Sequence, residues 1–176
     1  MSGLFSHASA DGDAPSDRPD IQATVSVPAS ADHAWAGLVE HLHLWWPADL
    51  LSRWGTDSFF DLEDNALVET STQDDENVWG EVIDGRPGEW LELSWKHVGA
   101  ASSTSLRLDL TGGASNHHAR AESAAQDSGF AGEQVNTTLT VTHGGWIATD
   151  PQDLYQLYRE FWPNALARFQ RFMGGS

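Results

Sequence analysis

Two hydrophobic periods alternate along this chain, and the switches between them mark its elements. Residues 21–27 read IQATVSV, an every-second apolar pattern that predicts a half-buried strand ended by Pro28. The period then lengthens. Ser30 is placed to cap a helix with Asp32 in its first turn, and Trp35, Leu38, Val39 and Leu42 follow as one apolar face. A second short helical piece is expected through Leu44, Trp45 and Trp46, with Pro47 just inside it or ending it. Short strands follow near Ser58–Glu63 and Ala66–Ser71.

The clearest strand signal is a pair, Asn77–Ile83 and Trp90–Val98, flanking the turn-forming run DGRPGE. Ser105–Leu110 (SLRLDL) and Val135–His143 (VNTTLTVTH) alternate again. Asp150-Pro151-Gln152-Asp153 marks a helix start, with Asp as the cap and Pro at the first helical position. Leu154, Tyr158, Phe161, Ala165, Phe169 and Phe172 form its apolar stripe, and Pro163 is expected to kink it about halfway. The order β-α-α-β-β-β-β-β-β-α predicts an α+β fold, one antiparallel sheet with the helices on one side.

Two stretches carry no such period. Residues 1–20 are small, polar and acidic, and are expected to form a disordered tail. Residues 112–134 are Gly/Ala/Ser-rich and read as a flexible loop inserted between two strands. A single domain is therefore expected over 21–173.

Composition narrows the partners. The formal charge is −17, from 26 acidic against 9 basic residues, and Lys96 is the one lysine. Such a chain repels phosphate backbones and anionic lipid, so nucleic acid and membrane are excluded as expected partners. There is no apolar run long enough to span a bilayer and no basic, apolar leader, which predicts a cytoplasmic protein. Cysteine is absent, which removes disulfides, thiolate metal sites and cysteine nucleophiles. Nine tryptophans in so acidic a chain call for a large apolar interior.

Catalytic signatures are missing: no nucleophile elbow, no phosphate loop, no dinucleotide fingerprint and no H-E-x-x-H. Nothing calls for a cofactor or a metal. His41 and His43 are too close in sequence to share a helix face, and His117-His118 lies in the loop-like stretch. The inward phase Leu91, Leu93, Trp95 continues to His97, and the phase Val135, Leu139, Val141 continues to His143. With Leu106, Leu108 and Leu110 inward on the strand between, both histidines fall at one end of the sheet, roughly 10 Å apart. They either fix the polar head of a ligand or bond to backbone at strand ends.

Trp45, Trp46 and Trp54 cluster where a cavity mouth would be covered, with Trp95 on the inner face and Trp162 where the last helix crosses it. They either stack on a flat guest or fill the core. The hairpin register stays open. If Ile83 pairs Trp90, then Trp79 and Trp90 lie outside as a candidate dimer patch. A slip of one residue turns Trp79 and Glu81 inward.

The blocks VSVPASADHAWAGL, WGEVIDGRPGEWLELSW, NTTLTVTHGGW and YREFWPNALARFQRF, in this order and spacing, resemble START-like (SRPBCC) domains. The branch they resemble is named after the activator of the Hsp ninety ATPase. The resemblance covers about 21–173 and departs from the pattern at Trp162-Pro163 and in the enlarged loop. It implies a helix-grip fold, in which a curved sheet wraps a long C-terminal helix with a cavity between them; binding of a small apolar molecule there predicts a largely apolar pocket of several hundred Å3. The candidate ligand-binding residues are then Trp45, Trp46, Trp54, Phe59, Leu93, Trp95, His97, Leu108, Val141, His143, Tyr158 and Trp162. A non-enzymatic domain for a small hydrophobic or aromatic molecule is the leading expectation. A regulator of a chaperone or other protein partner, or a homodimer, comes next. A cyclase- or hydrolase-like enzyme using His97, His143 or Glu81 is third.

Overall fold

The computed structural model describes residues 14–112 and 135–176. Residues 1–13 of the expected tail and 113–134 of the expected loop lie outside the described residues. Ten elements follow the predicted order: β1 (Ile21–Val27), α1 (Ala31–Val39), α2 (Leu42–Trp45), β2 (Phe59–Glu63), β3 (Ala66–Thr70), β4 (Glu76–Arg86), β5 (Trp90–Trp95), β6 (Thr104–Gly112), β7 (Thr137–Gly144) and α3 (Gln152–Phe172). All seven strands join one curled antiparallel sheet in the order β1-β7-β6-β5-β4-β3-β2. Strands β2 to β7 form a meander, and β1 closes the other side by pairing with β7, Thr24 opposite Thr140. The apolar face of α3 fills the concave side through Tyr155, Tyr158, Phe161, Trp162, Ala165, Leu166 and Phe169. This is the α+β helix-grip architecture.

The local signals explain most boundaries. Ser30 caps α1, its hydroxyl accepting from His33 N at 3.3 Å. Trp35 packs partly buried against the core. The start of α3 differs from expectation. Pro151 is the cap residue and the helix begins at Gln152. The Asp150 carboxylate is held by Ile147 N at 2.8 Å and by the Ser102 hydroxyl, so it fastens the β7–α3 connection and caps nothing. Pro163 stands inside α3 without ending it. The described end of the expected tail is tied down: Pro15 bridges Ile147, Ser16 N donates to Trp146 O, and Tyr155 Oη donates to Pro19 O at 2.7 Å.

Neither expected hairpin register is adopted, because β4 carries two bulges. Val68 pairs Val78 while Leu67 pairs Gly80, leaving Trp79 as an extra residue. Val82 pairs Leu93 while Asp84 pairs Glu92, leaving Ile83 extra. Trp79 and Gly80 are thus both buried, Val82 packs against the core, and Glu81 and Ile83 face out. Gly80 lets the strand pass close beneath the Trp95 ring: a Cβ there would stand 3.0 Å from it, and the ring would have to shift. Arg86, not Ile83, pairs Trp90. Trp90 lies outside beneath the Arg107 guanidinium, 4.2 Å from its ring centroid. The expected outer Trp79–Trp90 patch therefore does not form. Among the described residues, no helix is long and apolar enough to cross a membrane.

Candidate functional site

Between sheet and helices lies an apolar cavity whose walls expose carbon alone. It is lined by Val39 of α1, Trp45 of α2 and Trp46 just after it, by inward strand positions (Leu93, Leu108, Val141) and by Trp162 of α3, with further leucines between them. Its volume is about 20 Å3, room for roughly one water where no polar group would hold it. The expected pocket of several hundred Å3 is therefore not found in the interior. Tryptophan occupies the space. The Trp46 ring stacks on Phe60 at 5.2 Å and meets Phe161 at 5.3 Å, with Trp95 and Trp162 each at 6.3 Å. Trp45 lies against Phe169 at 5.1 Å and donates to Gly37 O at 3.0 Å.

Val39, Leu62 and Leu91 line this cavity and also floor a surface cleft of about 590 Å3. The cleft runs between α1, the β2–β3 turn and the β4–β5 hairpin, where Trp35 and Pro87 form apolar walls and Glu40, Asp61 and Asp64 a polar rim. Three leucine or valine side chains thus separate open solvent from the interior.

Six of the candidate residues meet at the inner cavity: Trp45, Trp46, Leu93, Leu108, Val141 and Trp162. Trp54 and Phe59 do not. Trp54 is 37% exposed under Arg53, and Phe59 is 46% exposed with His43 stacked on it at 4.8 Å. Trp95, His97, His143 and Tyr158 gather instead at the neighbouring end of the concave face, outside the cavity lining.

There the two histidines meet through Tyr158, as their shared strand phase predicts. Tyr158 Oη accepts from Trp95 Nε1 at 2.7 Å and lies 2.8 Å from His97 Nδ1. The His143 ring packs on the Tyr158 ring at 4.5 Å. His143 is wholly buried, and its tautomer follows from its partners. Trp162 Nε1 donates to Nδ1 at 3.0 Å, so Nε2 carries the proton and donates to Thr104 Oγ1 at 2.7 Å. Its partners are side chains, not the strand-end backbone. Burial, and then the nearby His97, push the His143 pKa down to about 3, which keeps the ring neutral. Burial likewise lowers the pKa of half-buried His97 and raises that of Tyr158. Glu81, the third acid–base candidate, faces out on the far side of the sheet beside Lys96. The three do not converge.

One buried charge lies outside the residues that the sequence pattern singles out. Glu69 is fully enclosed, yet its carboxylate accepts from Arg53 N at 2.9 and 3.0 Å, Trp54 N at 3.2 Å and Trp79 Nε1 at 2.8 Å, and from the Ser52 hydroxyl. Burial raises its pKa, but the Ser52, Arg53 and Trp79 bonds outweigh that and hold it below the ordinary value. Glu69 so fixes the loop after α2 to β3. The signal was available, because Glu69 shares the inward phase of Leu67. Among the described residues, no group of three or more His, Asp or Glu is placed to hold a metal.

No family model and no curated protein sequence matches the chain. Solved structures do. CalC from Micromonospora echinospora, a self-sacrificing resistance protein, aligns with TM-score 0.54 and 16% identity over 90% of this chain and 97% of its own. DynU16, from the dynemicin biosynthetic locus, aligns at 0.53 and 20% over 89% of this chain, which spans only 48% of that one. The Aha1 dimer from Colwellia psychrerythraea aligns at 0.51 and 14%, covering 89% and 96%. Identities this low establish the shared helix-grip fold and nothing finer.

Proposed function

We propose that this chain is a non-enzymatic helix-grip domain that takes up a small apolar or aromatic molecule where the surface cleft meets the interior. The observation that carries the reading is the sharing of Val39, Leu62 and Leu91 between an open cleft and an all-carbon cavity. A guest entering there displaces no polar group, and the Trp46 ring is the piece of protein it replaces. Trp46 is the residue that ends the four-residue helix α2, which has no side-chain cap at its start. Trp46 itself makes one long hydrogen bond, to Leu51 O at 3.3 Å. Such a segment is among the easier parts of the fold to displace. Membership of the branch named after the activator of the Hsp ninety ATPase belongs to the same proposal and rests on the sequence blocks.

The test is titration with the neutral fluorescent probe N-phenyl-1-naphthylamine. Saturable one-to-one binding is expected, weakened by Leu62→Trp or Leu91→Trp and tightened by Trp46→Ala. If neither the wild-type chain nor folded Trp46→Ala binds the probe, the core is solid and the reading fails.

A groove of about 520 Å3 favours a second reading, a protein partner. Leu50, Leu157 and Phe161 form its apolar part beside Asp153 and Glu160, which suits a basic, apolar segment. Leu157→Glu should abolish capture of such a partner, and capture unchanged by that substitution would discard this surface.

A further inference from the structure

The hydrogen bonds around Tyr158 direct its phenolic proton. Indole N–H groups only donate, so the Trp95 bond occupies a lone pair of Tyr158 Oη. His97 Nδ1, 2.8 Å away, is the one other hydrogen-bond partner of Tyr158 Oη among the described residues, so the buried O–H is satisfied by the tautomer in which Nδ1 accepts the phenolic proton and Nε2 carries the ring's own. His143, although packed on the same ring, cannot take that proton, since its Nδ1 already accepts from Trp162 and its Nε2 donates to Thr104. A buried phenol aligned on a neutral imidazole is the arrangement needed to lose an electron and a proton together. The proton has a base within reach, and no charged phenol radical is left in an apolar interior.

The surrounding rings supply a route. Trp162 lies nearly parallel to Tyr158 at 6.2 Å, with Trp146 at 6.0 Å and Trp95 at 6.3 Å. Beyond them, Trp79 stands 5.8 Å from Trp95, and Trp46 stands 6.3 Å from both Trp95 and Trp162. No gap in this series exceeds a ring contact. There is no cysteine to act as a competing sink.

We propose that Tyr158 and His97 form a proton-coupled redox pair fed by the buried tryptophans. A one-electron oxidant, such as a strongly oxidising radical at the surface, removes an electron from the tryptophan cluster. The vacancy passes to Tyr158, the Oη–H bond breaks, and an N–H bond forms at His97 Nδ1. The products are a neutral tyrosyl radical, an imidazolium and the reduced oxidant. A one-electron reductant such as ascorbate reverses the step. His97 is half-buried, so its proton can exchange with water, whereas Tyr158 is 1% exposed and shielded from coupling with other radicals.

The chain has two tyrosines, Tyr155 and Tyr158, which makes the assignment testable. The full chain is oxidised by flash-generated ruthenium(III) tris-bipyridine and followed by transient absorption and electron paramagnetic resonance. The expected result is a tyrosyl radical retained in Tyr155→Phe and replaced by tryptophanyl signals in Tyr158→Phe. His97→Gln, which keeps an acceptor but removes the base, should slow radical formation by roughly a hundredfold. Deuterated solvent should slow it in the unmodified chain, a reading that needs no variant to fold. A radical lost in Tyr155→Phe overturns the proposal. So does a tryptophanyl radical alone in the unmodified chain, or a Tyr158 radical indifferent to both His97→Gln and deuterium.

Discussion

Around Tyr158, each buried polar atom has a partner; around Leu108, a few ångströms along the same concave face, there are almost no polar atoms to satisfy. The first region is a closed set of directed bonds, Trp95 to Tyr158, Trp162 to His143 and His143 to Thr104. The second is held by shape alone, leucine and tryptophan surfaces meeting around about 20 Å3 of space. Trp162 belongs to both, its N–H in one and its ring in the other. Directed networks tolerate one arrangement, while apolar packing tolerates substitution of volume by volume. The difference assigns rigidity to the histidine end and adaptability to the leucine end. It also explains why the cleft opens onto the latter.

Breaking the directed end should cost most. His143→Ala removes a packed ring, orphans Trp162 Nε1 and leaves Thr104 Oγ1 only its 3.5 Å bond to Trp95 O, a loss on the order of 5 kcal/mol in urea unfolding. The same residue sets an acid sensitivity. The native ring protonates only near a pKa of about 3 against an ordinary 6.5, so the unfolded chain binds the extra proton between those values. Stability is intact above pH 6.5 and falls as pH drops across that window. His97, also lowered, acts in the same direction. A flat stability profile between pH 7 and pH 5 would refute the buried neutral histidine.

At the adaptable end, Trp46→Ala should cost about 3 to 5 kcal/mol. Unlike the first loss, this one is recoverable. An apolar guest at a hundredfold its Kd returns about 2.7 kcal/mol, visible as a rise in Tm with guest concentration. Absence of any such rise would make both ends equally rigid and erase the contrast.

Glu69→Gln comes third, at about 2 to 3 kcal/mol, because a charged acceptor facing several N–H donors is replaced by an amide that must turn one donor toward them. Its native pKa lies below the ordinary 4.5, so its contribution is present above pH 4.5 and is lost as pH falls through the native value. Acid unfolding should therefore show a histidine phase first and a Glu69 phase below it, and Glu69→Gln should delete the second alone. Smallest is Asp49→Asn, which frees the loop after α2 from Arg168, 2.6 Å away. Its cost should stay below about 1 kcal/mol and shrink with added salt. Faster uptake of the naphthylamine probe in this variant would locate the moving segment.

Much of this was legible in the sequence. Period-two and period-3.6 runs gave the strands, α1 and α3 in order, while Leu42, read as the end of the α1 face, opens α2 instead; the phase of Leu93–Trp95–His97 and of Val141–His143 brought both histidines to one end. What escaped was volume and count. Alternation tells which side Trp46 faces but not that its indole fills the space a ligand would need. The extra residues Trp79 and Ile83 in β4 shift the phase twice without changing composition, so neither simple register could be right. Glu69 escaped because a charged residue in a strand reads as outward unless the donors that satisfy it, here from the loop at 52–54 and from Trp79, are already in view.

The pairing of β1 with β7 has a kinetic side. Strands β2 to β6 contact their sequence neighbours, whereas Thr24 reaches Thr140 across 116 residues. Closing so long a loop is entropically slow, which makes β1 the strand expected to dock last and to detach first. Backbone amides of β1 should then exchange with deuterium faster than those of β5 and β6. A detached β1 leaves β7 with an open edge that the β1 of a second copy fits residue for residue, the circumstance in which protomers trade strands.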